Sequence, residues 1–511
     1  MNKFYYLKAN NKYIINSYLK LNNKFYSTNE LVLKLKKESD LQSKLKTRMR
    51  LPCLLLTKPY NESNIKSVFD YTLKTNNKDS VLVKEFDIDA IKTNNSISNN
   101  NNNEIINSET DKINDINNNI IRYTPFYSFY SLILDFKKDK RLSQDFVTLN
   151  NKQIRVGKVL ELFDILTAES CFKHINLPKE QLTLVTASVS SIELFSNLNI
   201  SDPLVMNTYI TNVGTSSIEV RIDLYNNVKC KDENFNGSAY FNFVARNPNN
   251  YKKAMKVPLI NYDLIENIIL KKDITCLKTL LSYNIYPEKD ILISELNKII
   301  LRKDIGKHHK EVLIKDASES LYKTTPNNDE IKQLHDIFIS NNSFNRKINK
   351  NKTISIHSTL IEKVVLNYKE HSNYNGHIFG GYLMREATEL SFACLYLFNN
   401  KYNYYIECID SVTFYRPVML SSISHFKAYV TYKERNLLHT VVEIYNIVNN
   451  EDNEEEMNLT TALNITFKLD NKSASKDKFN NNDLEIIPES YSCGIRYLDG
   501  RRRLKKLYEY I

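Results

Sequence analysis

NYNGHIFGGYLMREATELSFACLYLF, residues 373–398, is the stretch on which the reading of this chain turns. A polar loop runs into Gly380–Gly381, and a helix-like segment follows. Leu383, Ala387, Leu390, Cys394 and Leu397 recur at helical spacing, which puts them on one apolar face. Glycine lets the backbone approach a ligand closely and adopt dihedrals closed to other residues. The helix start behind it presents N–H groups without intrahelical acceptors, together with a partial positive charge. Such donors can hold a polarised carbonyl oxygen or a phosphate. On the glycine pair alone, a tight loop entering a buried helix is the simpler explanation.

The pattern occurs twice. NKQIRVGKVLELFD at 151–164 aligns without gaps with residues 375–388. In each copy an Asn stands six positions before a Gly, at 151 and 157 and again at 375 and 381. Seven positions after that Gly comes a polar residue, Asp164 in the first copy and Thr388 in the second, with Glu389 next to it. Val159, Phe163, Leu166 and Ser170 make the first helix's apolar face, less cleanly than in the second. Strand-like segments follow each helix, with β-branched and aromatic residues in partial alternation. They lie at 182–195, 216–225 and 238–246, then at 404–414, 437–448 and 459–469. Residues 261–340 read as helices. An antiparallel sheet wrapped around a central apolar helix, built twice, satisfies this plan; the expected class is α+β.

The bulk composition narrows the function. A chain of 511 residues suits two domains plus extras. Hydrophobic residues make up 42%, and 33 tyrosines and 23 phenylalanines compensate for the absence of tryptophan in building cores. The net charge of +11 comes from lysines spread among asparagines, which points to compositional bias rather than to nucleic acid. Seven cysteines without a CxxC signal neither a disulfide framework nor a zinc site, and a reducing compartment fits. No apolar run reaches membrane-spanning length. The first 29 residues carry five lysines and no acid, which fits an organelle transit peptide or a disordered tail. Residues 75–121, containing NNSISNNNNNEIINSETDKINDINNN, are too polar to bury a core and read as an insertion. Shorter polar breaks at 341–352, 449–458 and 470–483 read as loops. There is no GxSxG, P-loop, GxGxxG or HExxH, so a serine-hydrolase elbow, nucleotide binding and zinc-protease chemistry have no support.

Residues 373–398 resemble the motif of hotdog acyl-coenzyme A thioesterases, in which an Asn- and Gly-containing loop leads through Gly-Gly into the central helix. DSVTFYRPV at 410–418 is similar to the strand and Pro-Val turn that follow in that family. VGTSSIEV at 213–220 is similar to an inner strand of a first hotdog, and FVAR at 243–246 and YLDGRRR at 497–503 resemble the mitochondrial-type tandem members. The likeness covers about 122–511 apart from the polar insertions. Two positions depart from it. Ser421 stands where a Gly often follows the Pro-Val turn, and Val156 stands where the second copy has Gly380.

The resemblance implies two hotdog domains forming a pseudo-dimer. The expected division is a targeting or disordered segment at 1–45, a first hotdog at 122–250, a helical connector at 251–345, a second at 346–490 and a tail at 491–511. It implies hydrolysis of acyl-coenzyme A at a site shared between the halves, with no cofactor. Asn375 would orient the thioester or the water, Asp164 would act as base or nucleophile, and the Gly381 and Tyr382 amides would hold the oxyanion. Asn151 with Glu389 would form a second, weak or silent site. His377, Phe379, Gly380, Gly381, Val213, Gly214, Thr215 and Ser216 would line the substrate path. Each residue has a plainer reading: Asp164 as an exposed acid, Asn375 as a turn residue, Glu389 as an i,i+4 partner of Arg385, and Arg501–Arg503 as a solvated tail. A hotdog hydratase or dehydratase using His377, and a non-catalytic acyl-coenzyme A binder, are the alternatives. A mitochondrial address and a homo-oligomer are also implied, with the cytoplasm or another organelle as alternatives.

Overall fold

The computed structural model describes residues 81–85 and, with short gaps, 128–260, 320–342, 353–471 and 485–510. The gaps include 149–152 and 373–375. The segment 1–45 and most of the connector, 261–319, lie outside the described residues. Within the stretch read as an insertion, Val81–Glu85 forms a strand, β1, paired antiparallel with β2 (Tyr130–Leu134). Five residues, three apolar (Val81, Leu82, Val83) and two charged (Lys84, Glu85), suffice to extend an existing edge, which the polar composition around them masked.

The first half continues with α1 (Lys140–Phe146), α2 (Val156–Ile175), β3 (Thr183–Leu194), β4 (Leu204–Val213), β5 (Ser217–Tyr225) and β6 (Phe235–Arg246). A helix, α3 (Asn328–Asn342), begins at a reciprocal cap: Glu330 N–H donates to Asn327 Oδ1 and Asn327 N–H to Glu330 Oε2, each at 2.9 Å. The second half holds β7 (Thr353–Ser355), β8 (Ile361–Leu366), α4 (Gly380–Phe398), β9 (Tyr402–Ile409), β10 (Val412–Phe414), β11 (Ile423–Glu434), β12 (Leu437–Asn449), β13 (Glu455–Asn471), β14 (Glu485–Ile487) and α5 (Tyr491–Tyr510). β4, with polar residues on both faces, and β11, with His425 and Lys427 on one, were not singled out in the sequence. The polar break at 449–458 is half strand, since Glu455–Asn458 pair with β12.

Twelve strands form one sheet in the order β1-β2-β4-β5-β6-β3-β10-β13-β12-β11-β8, with β9 beside β13 and β3, and all its pairings are antiparallel. The sheet is continuous across the halves because β3 meets β10, with Ser188 opposite Thr413 and Val189 opposite Val412. On the first half's inner face, Ile218, Val220, Ile222, Phe241 and Phe243 are buried against α2. Burial of each such side chain contributes about 1.5–3 kcal/mol. α4 lies in the same way on β8, β11, β12 and β13. This is an α+β hotdog arrangement: antiparallel sheet curled over helix.

α2 and α4 also pack on each other. That explains why the apolar face of α2 is hard to read. It is covered by sheet on one side and helix on the other, and is buried nearly all round. Its end is a left-handed Asn176 (φ 55°, ψ 37°) whose N–H bonds to Phe172 O. On α4, Leu383, Ala387, Leu390 and Cys394 are buried as expected, but Leu397 is exposed, since it lies in the last turn beyond the sheet's cover.

The tail at 491–511 is a packed helix over its described length. Gly500 lies so close to the sheet that a Cβ there would come within 2.7 Å of Thr431 Oγ1 and 2.9 Å of His439 Nδ1. Arg496 forks onto Glu443 with two bonds of 2.8 Å, Arg502 reaches Glu330 at 2.6 Å, and Arg503 bridges Asp499 at 2.7 Å and Asp410 at 3.2 Å. Arg501 donates to Gln333. The arginine run is therefore a clamp on the sheet and α3, not a solvated tail. At Ser421 the backbone is left-handed (φ 61°), which explains why Gly suits that turn.

Candidate active site at the helix crossing

The two glycines of the repeat are the points where α2 and α4 touch. A Cβ on Gly381 would stand 2.9 Å from Asp164 Cβ and 3.0 Å from Glu161 Cα and O. A Cβ on Gly157 would stand 3.1 Å from Arg385 O. The requirement at both places is close approach of helix backbones, and only glycine meets it without displacement.

α4 opens without a side-chain cap of its own; Phe379 precedes it in extended conformation. Its cap comes from the other helix. Asp164, fully buried, accepts the Gly381 N–H on Oδ2 at 2.6 Å and the Thr186 hydroxyl on Oδ1 at 2.9 Å. Gly380 completes the fit, because a Cβ there would press within 3.1 Å of Asp164 Oδ2 and of the Phe414 ring. Asp164 is thus not an exposed acid. Burial raises its pKa to about 7, the bonds from Thr186 and Gly381 oppose that rise, and the Glu161 charge adds to it. A carboxyl group that ionises near neutrality beside a helix N-terminus can take and return a proton. Its neighbour Cys171 cannot serve as a thiolate nucleophile, since burial and Asp164 push its pKa well above the usual range.

The Gly381 N–H is committed to Asp164. It cannot hold an oxyanion while that bond stands, which corrects the expectation for the Gly381–Tyr382 pair of amides. Asn375 and Asn151 lie outside the described residues. Next to Asn375, Gly376 is left-handed (φ 74°), and Ile378 N–H and Phe379 N–H bond to Val418 O and His371 O at 2.8 and 2.9 Å. His377 packs against Tyr251 of the first half with ring centroids 4.6 Å apart and the rings tilted by 30°, and burial lowers its pKa. It thereby links the loop to the first half.

The matching place on the other side differs. Thr388 turns its hydroxyl onto its own helix, donating to Met384 O at 2.7 Å. Glu389 pairs with Arg155 at 2.5 Å rather than with Arg385. Arg385 instead crosses to Glu161, at 3.0 and 2.9 Å from its two oxygens, and holds Glu386 at 3.0 Å. Val213, Gly214, Thr215 and Ser216 form the β4–β5 turn, and their described bonds are to Ser217, Ala245 and Val257 rather than to Asp164. Thr186 was missed. Its strand was read, but nothing in one strand says which of several Thr and Ser side chains faces a distant helix.

Fold and site define a class: a hotdog protein in which one helix supplies a buried carboxylate to the start of another. No family model matches the chain. It is 24% identical over 391 residues to acyl-coenzyme A thioesterase 9, mitochondrial, of Mus musculus, covering 74% of this chain and 78% of that one. It is 27% identical over 323 residues to acyl-coenzyme A thioesterase 4, mitochondrial, of Humulus lupulus, covering 62% and 54%. Among solved structures, an acyl-coenzyme A hydrolase mutant of Staphylococcus aureus aligns at 19% identity over 31% of this chain and 92% of that one, with a TM-score of 0.27.

Proposed function

We propose that this protein hydrolyses acyl-coenzyme A thioesters to a fatty acid and coenzyme A. The observation that carries the reading is Asp164, buried on one helix and seated on the N-terminus of the other. Similarity to thioesterases over most of the chain supports it. Ionised Asp164 takes a proton from water as the water oxygen attacks the thioester carbonyl. The C–S bond of the tetrahedral intermediate then breaks, and Asp164 returns the proton to the departing sulfur. The positive end of α4, with the Tyr382 amide, faces the oxyanion, and Asn375 orients the carbonyl. Asp164 as a nucleophile forming an anhydride is the other form of this reading. The second site, Asn151 with Glu389, is silent because Thr388 stands where the acid is needed.

In the same reading, 122–250 and 346–490 are two hotdogs paired as a pseudo-dimer. Val213, Gly214, Thr215, Ser216, His377, Phe379, Gly380 and Gly381 line the substrate path, residues 1–45 carry a mitochondrial address, and tandem subunits associate further. The names of the relatives support the address.

The test is release of free thiol from acyl-coenzyme A of several chain lengths by purified protein. Steady turnover is expected. Hydration of crotonyl-coenzyme A without thiol release, or tight binding without turnover, would replace this reading with a hydratase or a binding protein. Thr186→Val removes a bond that favours the ionised carboxylate, and bonds to charged groups are worth about 1.5–3 kcal/mol. It is expected to lower kcat/KM about ten- to a hundred-fold at pH 6 and less above pH 8, read from the pH–rate profile.

A further inference from the structure

We infer that Arg385 is a positioning residue for Asp164: acting through Glu161, it fixes the helix crossing that seats the carboxylate on Gly381 and cancels the charge beside it. Three observations carry this. Glu161 lies one turn before Asp164 on α2, and a Cβ placed on Gly381 would come within 3.0 Å of its backbone. Arg385 lies one turn after Gly381 on α4 and holds both Glu161 oxygens at 3.0 and 2.9 Å. The pair therefore ties the two helices together one turn from the Asp164–Gly381 bond, with side chains only 13% and 8% exposed. At such burial the pairing is directional and screened little by salt.

The surrounding charges give the pair an electrostatic purpose. On α2 and at its start stand Arg155, Lys158, Glu161 and the Cys171 thiol; on α4 stand Arg385, Glu386 and Glu389; β8 supplies Lys363; the loop before α4 brings Glu370, His371 and His377. In the described ion pairs that link α2, α4 and β8, four cations (Arg155, Lys158, Lys363 and Arg385) face three carboxylates (Glu161, Glu386 and Glu389). Ionised Asp164 is the fourth acid. Removing Arg385 leaves Glu161 beside Asp164 with Lys158, 3.4 Å from the Glu161 carboxylate, as its remaining ion-pair partner among the described residues. A like charge that close disfavours the second ionisation.

The rate readout rests on the thioesterase reading; a second readout does not. Arg385→Gln is expected to move the midpoint of the kcat/KM–pH profile up by about one unit, lowering kcat/KM about ten-fold at pH 6, with recovery at high pH. Glu161→Gln is expected to move it down, the double variant to return it near the wild-type position, and Arg385→Lys to restore most of it. Independently, the melting temperature of each protein is compared with that of its Asp164→Asn counterpart from pH 4 to 9. The pH at which that gap levels off reports the Asp164 titration without any turnover, and it should rise in Arg385→Gln. If the wild type releases no thiol but the levelling point still moves, the thioesterase reading fails and this inference stands. If turnover is present and neither midpoint moves, with rates reduced equally at every pH, the pair is merely structural and the inference is overturned.

Discussion

Asp164→Asn is expected to lower kcat/KM for thioester hydrolysis about 10²–10⁴-fold, the range that a positioned acid–base group contributes. The same change is expected to make the protein more stable at pH 8. The side chain is fully buried and its pKa is raised to about 7, against about 3.9 for an aspartate in an unfolded chain. Between those values the folded protein holds a proton that the unfolded chain has released. Stability therefore falls as pH rises from about 4 to about 7 and stays low above that. The cost of holding the carboxylate ionised is on the order of 4 kcal/mol. Asparagine carries no charge and keeps an oxygen to accept the Gly381 N–H. Its melting temperature should exceed that of the wild type at pH 8, with the gap closing toward pH 4. Thermal melts at the two pH values, beside the thiol-release assay, check both halves of this result. A variant that lost stability and activity together at pH 8 would mark Asp164 as a helix cap and nothing more.

The second large effect is at Gly381. In Gly381→Ala the new methyl would stand 2.9 Å from Asp164 Cβ and 3.0 Å from Glu161 Cα and O, which are atoms of a helix and its rigid stem. No rotamer change relieves such a contact, so α2 and α4 must separate. Overpacking of this kind costs about 1–3 kcal/mol. The same movement stretches the Asp164–Gly381 bond, so activity should fall steeply even in the fraction that folds. Gly157→Ala is a graded comparison. Its nearest contacts are 3.1 Å to Arg385 O and 3.2 Å to the flexible Arg385 Cγ, on the side of the crossing without the acid. It should destabilise less and retain much more turnover. Melting curves and kcat for the two variants decide the order, and equal losses of kcat would show that the crossing, not the Asp164 seat, limits the rate.

Much of this was legible in the sequence because the repeat constrains two places at once. Gly157 and Gly381, Asp164 and Thr388 were set in register by alignment alone, and the structure brings Asp164 to Gly381. Periodicity found the strands in which β-branched and aromatic residues alternate. It passed over β4, where buried Asn207, Thr208 and Thr211 interrupt the apolar run, over β11, whose outward positions carry His425 and Lys427, and over β1, a short edge strand in polar surroundings. Contacts set by tertiary geometry were not readable. Glu389 has Arg385 at helical spacing, yet Arg155 is nearer in space, because α2 enters beside it. The arginines near the end of the chain look like a loose basic tail until Gly500 shows how closely α5 lies on the sheet. Thr186 could have been found only by knowing which way β3 turns toward α2. The orienting role of Asn375 stays a reading of the motif, since residues 373–375 lie outside the described residues.

Glu161 and Arg385 stand 224 positions apart, which is also the spacing of Gly157 and Gly381. They are the same place in the two copies, and they touch. If either half paired with an identical twin about a twofold axis, that place would meet itself: carboxylate against carboxylate, or guanidinium against guanidinium. Opposite charges there are open only to halves that differ. The pair thus favours contact between the two different copies over contact of either copy with its own like. A symmetric pair of identical halves would place two like charges at this point, so the Glu161–Arg385 contact marks the two copies as different there.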